Sequence, residues 1–298
     1  TPRRPPRSSR KGSSAASDVY KRQGVFGVGA AVTKPACAEP PSNYSPLKVP
    51  GTVVKDIDGL EAGTNHGRAA DKYVYSASVV NQWLEKPSTQ PKNKKIVFVT
   101  FDDGPTTKFT GEQLDNLEKA GARATFFMIP PQMRDVGKNM LSRSLKMGNA
   151  LAIHSYSHDY KYLYHGSAAN KAKHISCDWD WAMAQSRAIL GSNYFSSAFR
   201  YPGGHMSWTN LSQADATLAK RGVGWIDWNA MSGDADAQRP TTVPGYLQMV
   251  KKSIKESNNP NVVVILNHDT YGKQMTAKAM PSILAWLKSQ GYEFGVIA

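Results

Sequence analysis

The sequence has few cysteines and no long apolar run. Only two of its 298 residues are cysteine, Cys37 and Cys177. No stretch approaches the roughly 18 apolar residues of a membrane-spanning helix, so we expect no transmembrane segment. No run of Lys and Arg alternates with aromatic residues in the body of the chain, which argues against nucleic acid as a partner. The composition, with 40% hydrophobic and 20% charged residues, is that of an ordinary globular protein.

Half of the net charge lies at one end of the chain. Residues 1–38 contain eight Lys and Arg residues and one Asp, a charge of +7 out of the total of +14. The body of the chain is therefore only mildly basic. A solvated surface is the simpler explanation of that charge, and a preference for anionic surfaces is the alternative.

We interpret residues 1–38 as an adapter-like leader followed by a truncated signal peptide. SSAASDVYKRQ (13–23) is similar to an adapter translated at the end of an assembled environmental sequence. GVFGVGAAV (24–32) and ACAEP (36–40) resemble the hydrophobic region and the cleavage site of a secretory signal, with cutting after Ala38. These features predict a secreted or cell-wall-associated bacterial protein.

The predicted cleavage also bears on the cysteines. Lipid modification of Cys37 is an alternative use of this region, and Lys34 disfavours it because such sites prefer an apolar residue there. Removal of the leader would leave Cys177 alone. We therefore expect no intramolecular disulfide and a protein that relies on its core for stability.

The composition changes twice after the leader. Residues 39–92 are rich in Pro, Ser, Asn and Lys, and we interpret them as a linker or a wall-proximal stem. Within them, YSASVVNQWLEK (75–86) has an amphipathic pattern that predicts a helix able to dock on the next domain. Residues 93–298 alternate between short β-branched runs and helical periods, which is typical of one catalytic domain.

The alternation in residues 93–298 predicts an α/β fold. The predicted strands are 95–101, 123–129, 150–153, 197–201, 224–227, 262–266 and 292–296. The predicted helices are 110–120, 136–147, 168–190, 212–221, 243–256 and 275–289. Left-handed caps are expected after three of them, at Gly121, Gly222 and Gly291. Such a pattern implies a mainly parallel sheet, either a barrel or an open sheet, with functional residues at the carboxyl ends of its strands.

Two adjacent carboxylates end the first strong strand, in the sequence FVTFDDGPTTKF (98–109). Successive side chains of a strand point to opposite sides, so Asp102 and Asp103 can face different partners. Gly104-Pro105 then forces a turn. A turn or a cap explains a lone DDGP equally well, so the interpretation of the pair depends on polar residues at other strand ends.

A histidine pair follows another predicted strand, in ALAIHSYSHDY (150–160). The spacing of His154 and His158 would place both imidazoles on one face of a helical turn, where they can bind one metal ion. With a carboxylate from another strand end they form a two-His, one-carboxylate set that leaves metal positions open. Non-haem Fe(II) oxygenases use such a set on all-β folds, which the α/β pattern contradicts. Unconnected surface histidines are the remaining alternative.

Three more segments place polar residues after predicted strands. FRYPGG (199–204) puts Arg200 before a rigid turn, where its fixed charge can keep a carboxylate ionised. VVVILNHDTYG (262–272) carries His268 directly after an apolar strand. A surface arginine and a structural histidine are the alternatives. WIDWNAMSGDAD (225–236) supplies three aspartates: Asp227, Asp234 and Asp236.

These motifs, in this order, resemble the polysaccharide deacetylase family, also called carbohydrate esterase family four or the NodB-homology domain. The motifs are TFDDG, H-S-x-x-H, R-x-P-G-G, a Trp/Asp segment and L-x-H-D, and the resemblance covers residues 93–298. It implies a distorted (β/α) barrel with about seven mainly parallel strands. It also implies one divalent metal, most often Zn²⁺, with Co²⁺, Ni²⁺ or Fe²⁺ as alternatives.

The resemblance assigns roles to individual residues. The metal ligands of the family match three positions: Asp103, His154 and His158. Asp102 matches the general base that deprotonates the metal-bound water, and Arg200 matches the arginine that orients this base. His268 matches the general acid that protonates the leaving amine. Gly203 matches a backbone N–H that helps to hold the oxyanion, and Leu266 matches the apolar wall under the acetyl methyl group. Two further residues are expected to contact substrate: Tyr201 and Trp228.

The Trp/Asp segment departs from the family pattern, W-D-x-D-S-x-D-W. Two of its acids are replaced, by Asn229 and Met231. Asp234 remains in place, and we expect it to orient His268 or Arg200, with Asp227 as a substitute. This departure leaves a non-catalytic wall-binding protein as a rival interpretation.

The resemblance predicts a secreted metal-dependent hydrolase that removes N-acetyl groups from N-acetylglucosamine in peptidoglycan or related glycans. Its partner would be the acetylated glycan, and we expect a monomer. The same site could act on chitooligosaccharides or as a xylan O-acetyl esterase, because selectivity depends on the shape of the loops.

Overall fold

A computed structural model describes residues 30–258 and 260–298. The adapter-like segment and most of the apolar part of the predicted signal lie outside the described residues. Within the described part, none of the helices is both long and apolar enough to cross a bilayer.

One sheet of parallel strands forms the centre of the molecule. Ten strands occur in the described residues: β1 Val74–Tyr75, β2 Lys95–Asp102, β3 Ala124–Met128, β4 Ala150–Ile153, β5 Ala198–Phe199, β6 Gly224–Trp225, β7 Ala230–Met231, β8 Val262–His268, β9 Tyr292–Phe294 and β10 Val296–Ile297. Seven of them follow the order β6-β5-β4-β3-β2-β8-β7, and β9 also pairs with β2. Every pair in this sheet is parallel, as expected for a distorted (β/α) barrel.

Helices connect the strands, as the periodic pattern predicts. Eight α-helices occur in the described residues: α1 Ala77–Glu85, α2 Phe109–Ala120, α3 Met133–Lys146, α4 Tyr160–Tyr164, α5 Ala168–Leu190, α6 Ser212–Ala219, α7 Val243–Glu256 and α8 Gln274–Ser289. Gly121 closes α2 in the left-handed region at φ 57°, where a residue with a Cβ would be strained. The left-handed caps predicted at the other two glycines are also present, with φ of 77° and 79°.

The two faces of the sheet are packed differently. On β2, Val97, Val99 and Phe101 face the helices as part of the larger apolar core. Ile96 and Phe98 belong to a second, smaller cluster on the inner face of the barrel. Because side chains alternate along a strand, the next inner-face positions of β2 are those of Thr100 and Asp102.

The residues before the barrel pack against it. Helix α1 is capped by the Ser76 hydroxyl, which accepts from the backbone N–H of Val79, and buries Ala77 and Val80 under the inner-face cluster. Strand β1 pairs with β10, the last strand of the chain. Further upstream, the backbone N–H of Ile57 donates to the carbonyl of Leu190 at 2.7 Å. The proposed role of residues 39–92 as a wall-proximal stem stays a prediction.

The prediction that no intramolecular disulfide forms is wrong. Cys37 and Cys177 are bonded, with their Cα atoms 5.9 Å apart. The pairing arises because the segment interpreted as the end of the leader packs on α5, where the indole N–H of Trp181 contacts the carbonyls of Cys37 and Ala38, each at 3.1 Å. Val32, further back in the same segment, is also buried. Cleavage after Ala38 stays a prediction, and it would separate Cys37 from the rest of the chain.

Candidate active site

Alternation along the strands brings the polar residues to one place. The inner-face cluster contains Phe98 of β2, Ala152 of β4, Ala198 of β5 and Val264 of β8. Counting by twos from these residues to the carboxyl end of each strand gives the inner-face polar residues: Asp102, His154, Arg200 and His268. In a parallel sheet these ends meet at one rim, so four distant segments supply one site.

The two adjacent aspartates face different partners, as their alternation predicts. Asp102 is 2% exposed, and its Oδ1 accepts from Nη1 of Arg200 at 2.8 Å. Asp103 has a left-handed backbone with φ 68°, which is unusual for a residue other than glycine. Its side chain turns to the histidines, with Oδ1 at 3.3 Å from Nε2 of His154 and 3.1 Å from Nε2 of His158.

The two histidines meet through a loop, and the helical turn that their spacing suggested is absent. Residues 154–159 after β4 are loop and bend, and His158 has a positive φ of 50°. The imidazole centroids are nevertheless 5.1 Å apart. The loop is held by the buried carboxylate of Asp178 on α5, which accepts from the backbone N–H of Tyr156 at 2.7 Å and of Ser157 at 2.9 Å.

The geometry of this trio fits a divalent metal ion. Nδ1 of His154 lies 3.0 Å from the carbonyl oxygen of Arg200. Because a carbonyl only accepts, Nδ1 carries the proton and Nε2 presents its lone pair to Asp103. Among the described residues no hydrogen-bond donor reaches the buried Oδ1 of Asp103. One carboxylate oxygen and two imidazole nitrogens within 4.8 Å of one another form a donor set that suits zinc and leaves positions for water and substrate.

The charges of the trio depend on each other. Burial alone would raise the pKa of Asp103, but the contacts with His154 and His158 outweigh it and hold that pKa far below its usual range. Burial likewise disfavours protonated His158, yet the neighbouring carboxylate of Asp103 raises the pKa of this histidine. The carboxylate of Asp103 is therefore ionised, as a metal ligand must be.

Arg200 is the fixed cation behind Asp102. It is fully buried, with Nε donating to the carbonyl of Ile226 at 3.0 Å and Nη1 donating to Oγ1 of Thr100 at 2.7 Å. Its guanidinium also lies 4.0 Å from the ring centroid of Phe127. These contacts leave it one orientation, in which it points a charge-assisted hydrogen bond at Asp102.

His268 is held by Asp234 on the other side of the site. Nδ1–H of His268 donates to Oδ1 of Asp234 at 2.8 Å, and its backbone N–H donates to Oδ2 at 2.9 Å. Nε2 is directed toward the acid pair and lies 4.0 Å from Oδ2 of Asp103. Burial disfavours the charged imidazole, but Asp234 and the two site aspartates raise the pKa of His268 to about 9.

The two candidate supporting aspartates have different positions. Asp234 contacts His268 and not Arg200. The carboxylate of Asp227 instead accepts from the backbone N–H groups of His205 at 2.8 Å and Met206 at 2.9 Å, so it holds the loop after β5. Asn229, which replaces a family acid, pairs with the edge of β8 through the backbone N–H of Val264 at 2.8 Å.

The predicted substrate contacts are only partly brought to the site. Gly203 is exposed in the loop after β5, and Leu266 precedes His268 on the inner face of β8. Trp228 lies near the site, with its ring centroid 5.6 Å from the guanidinium of Arg200. The side chain of Tyr201 is 1% exposed, and its hydroxyl donates to Asp215 at 2.8 Å. The substrate or oxyanion contact expected for Tyr201 stays a prediction.

Two buried acids near the site were missed by sequence reasoning. Asp178 lies in the middle of α5, where nothing in the pattern distinguishes it from a surface residue. Asp269 directly follows His268 in the L-x-H-D motif, and this position in the motif could have identified it as a site residue. It is fully buried, accepts from Oγ1 of Thr110 at 2.5 Å, and occupies the space beside Gly104 that a Cβ would need. Burial and the site aspartates raise the pKa of Asp269 to about 7.

Comparisons with known proteins find one family by sequence and by fold. The family model described as polysaccharide deacetylase matches residues 89–220. The structure of a Streptococcus mutans CE4 esterase is 40% identical, covers 80% of this chain and 98% of its own, and superposes with a TM-score of 0.72. A bifunctional xylanase/deacetylase of Pseudobutyrivibrio xylanivorans is 30% identical over 70% of this chain, which spans only 31% of that relative. A peptidoglycan-N-acetylglucosamine deacetylase of Bacillus cereus is 28% identical over 68% of this chain and 69% of its own length.

The order of the strand-end motifs, the parallel barrel and these similarities lead to one assignment. The chain belongs to the polysaccharide deacetylase family of carbohydrate esterases, the NodB-homology hydrolases.

Proposed function

We propose that the protein is a secreted, metal-dependent hydrolase that removes N-acetyl groups from N-acetylglucosamine residues of peptidoglycan or a related glycan. The observation that supports this most is the position of Asp103, His154 and His158 between an acid–arginine pair and an acid–histidine pair. A binding protein would have no need of two such oppositely arranged proton-transfer groups around one cation site.

The metal-binding residues would be Asp103 with the Nε2 atoms of His154 and His158. A bound zinc ion would supply Lewis acidity, which lowers the pKa of water and polarises a carbonyl. Cobalt, nickel and iron(II) accept the same donor set.

The proton-transfer roles follow from the neighbours of each group. Asp102, oriented by Arg200, would accept a proton from the attacking water. His268 would donate a proton to the leaving nitrogen, which is a poor leaving group without it. Its raised pKa keeps it protonated at neutral pH, and Asp234 fixes Nδ1 so that the proton is delivered from Nε2.

The substrate contacts are proposed from the loop after β5 and from the end of β8. The backbone N–H of Gly203 would contact the acetyl oxygen, and Leu266 would lie under the methyl group. The relatives named above support a glycan of the bacterial wall, and the xylanase/deacetylase supports acetylated xylan as the second candidate. Secretion follows from a wall substrate and from the predicted signal.

Acetate release tests the proposal. The full chain is incubated with N-acetylglucosamine oligomers, peptidoglycan and acetylated xylan, before and after EDTA treatment and after zinc is restored. We expect release from the N-acetylated glycans that EDTA abolishes and zinc restores. Asp102→Asn should lose activity, whereas Asp115→Asn, which changes an exposed carboxylate on α2, should keep it. Release that survives EDTA, or no release from any acetylated glycan, would refute the proposed function.

A further inference from the structure

A segment before the barrel runs along the loops that carry the metal-binding residues. We call residues 37–47 the strap. One end of it is tied by the disulfide between Cys37 and Cys177. Its next residue with a long side chain, Glu39, accepts a hydrogen bond from the hydroxyl of Tyr156, two residues after His154. The strap therefore begins beside the histidine loop.

The strap then reaches the loop after β3. The carbonyl of Ser45 accepts from Nη2 of Arg134 at 2.9 Å. Arg134 in turn donates through Nε to the carbonyl of Pro131 at 3.2 Å. The neighbouring residue, Gln132, donates through Nε2 to the backbone carbonyl of Asp103 at 3.1 Å. Only a short chain of contacts thus separates the strap from the acid pair.

Tyr44 is the strap residue that faces the site. It is half-buried, and its hydroxyl contacts the side chain of Gln132. Burial and the charges of Asp135 and Asp103 raise the pKa of the Tyr44 phenol, and the Tyr271 hydroxyl is also close enough to contribute. Tyr44 therefore contacts the residue that donates to the backbone carbonyl of Asp103, although Tyr44 comes from outside the region that the family model matches.

Exposed apolar side chains surround the same rim. Four large hydrophobic residues are strongly exposed in the described part of the chain, and three of them follow strands that build the site: Tyr160, Met206 and Tyr271. The ring of Tyr160 is 5.4 Å from that of His158. Tyr271, 76% exposed, meets Phe109 edge to face at 6.2 Å. Rings that offer an apolar face and a polar tip suit a pyranose, which has an apolar face and hydroxyl edges.

We propose that the strap is one wall of the glycan groove and that Tyr44, with Tyr271, binds a sugar residue next to the one that is deacetylated. This inference rests on the proposed function and adds a specificity residue to it. Because Tyr44 contacts none of the groups that transfer protons, it should affect the binding of long substrates and not the chemical step.

Binding can be measured without turnover. Dissociation constants of N-acetylglucosamine oligomers of two to five residues are determined by calorimetry with the EDTA-treated full chain. We expect Tyr44→Ala to weaken binding of the pentamer about tenfold and of the dimer less than about twofold, since stacking on one aromatic ring is worth on this order. Tyr44→Phe should keep most of the affinity. Val53→Ala, at an exposed site further along the same segment, should change nothing.

Kinetics of the zinc-loaded protein separate the two proposals. Tyr44→Ala should raise KM for the pentamer about tenfold with kcat unchanged. If Tyr44→Ala has wild-type dissociation constants, KM and melting temperature, the proposal that the strap forms a wall of the glycan groove is wrong. Tighter binding or a lower KM would also overturn it, because the strap would then obstruct the groove. A wild-type protein that neither binds nor deacetylates any glycan would instead refute the proposed function, and the proposed role of the strap would fail with it.

Discussion

The two sides of the proposed groove are held in different ways. At the strand ends, Asp102 and Arg200 are almost completely buried and each contact restricts the next. In the strap, residues 37–47, Pro40 is the only buried residue, and the disulfide and a few hydrogen bonds hold the segment. Preorganised buried charges serve a chemical step, whereas a less constrained surface can adapt to a polymer. Substitutions at the strand ends should therefore change kcat, and substitutions in the strap should change KM.

The largest effect is expected at Asp102. Asp102→Asn keeps the shape of the side chain but removes the base and leaves Arg200 without its anion. We expect kcat to fall by about 10²–10⁴, the usual contribution of a general base, with KM nearly unchanged. Stopped assays of acetate release on a chitooligosaccharide give both constants. If Asp102→Asn changed KM and left kcat unchanged, the expected difference between strand-end and strap substitutions would be absent.

Loss of one metal-binding residue comes next. His158 is on a loop and is more exposed than His154, so His158→Ala should fold normally. We expect it to bind zinc at least about 10-fold more weakly in a chelator competition and to recover activity only at high zinc. Asp178→Asn is the matched variant that tests how far the position of the histidine loop matters for zinc binding. Asp178 orients this loop without contacting the cation site. Equal zinc affinity in His158→Ala and wild type would contradict the assigned site.

Asp234→Asn should have a smaller effect with a distinct pH dependence. Asp234 raises the pKa of His268 to about 9, and the proposed acid works only while protonated. Without the charge that pKa falls, so the alkaline limb of the kcat/KM profile should move to lower pH and kcat at neutral pH should drop about 10–100-fold. Asp236→Asn, two residues further on, is the control. An unmoved alkaline limb would show that another group is the acid.

The contrast between the two sides also explains what could be predicted from sequence. Asp102, His154, Arg200 and His268 each follow an apolar strand, so alternation and parallel strand ends indicate that they converge. The predicted strands and helices of residues 93–298 therefore correspond to elements of the structure, and the left-handed caps are present. The short strand β7 and the short helix α4 were not predicted. The strand pattern does not show the packing that turns the side chain of Tyr201 toward Asp215.

The strap has no such pattern. Its residues are short, polar or Pro-rich, and their positions depend on contacts with distant parts of the chain, such as Arg134 and Cys177. Composition alone favoured a linker, and the A-x-A-like sequence favoured cleavage, so the disulfide was not anticipated. Asp178 was missed for a related reason, since its role depends on a loop about 20 residues away that folds back on α5.

The smallest effect on kcat is expected for the disulfide. The bond closes a loop of 140 residues, so Cys37→Ser with Cys177→Ser should cost about 2–4 kcal/mol of stability and lower the melting temperature by roughly 5–15 °C. Since the strap loses its anchor but keeps its other contacts, KM for long oligomers should rise while kcat stays within about twofold.

Mass spectrometry of the secreted, non-reduced protein should detect the peptide pair that contains Cys37 and Cys177. A mature protein that begins at Glu39 would lack this pair and contradict the tether. A KM unaffected by reduction would show that the hydrogen bonds from Arg134, Tyr156 and Trp181 hold the strap without the disulfide.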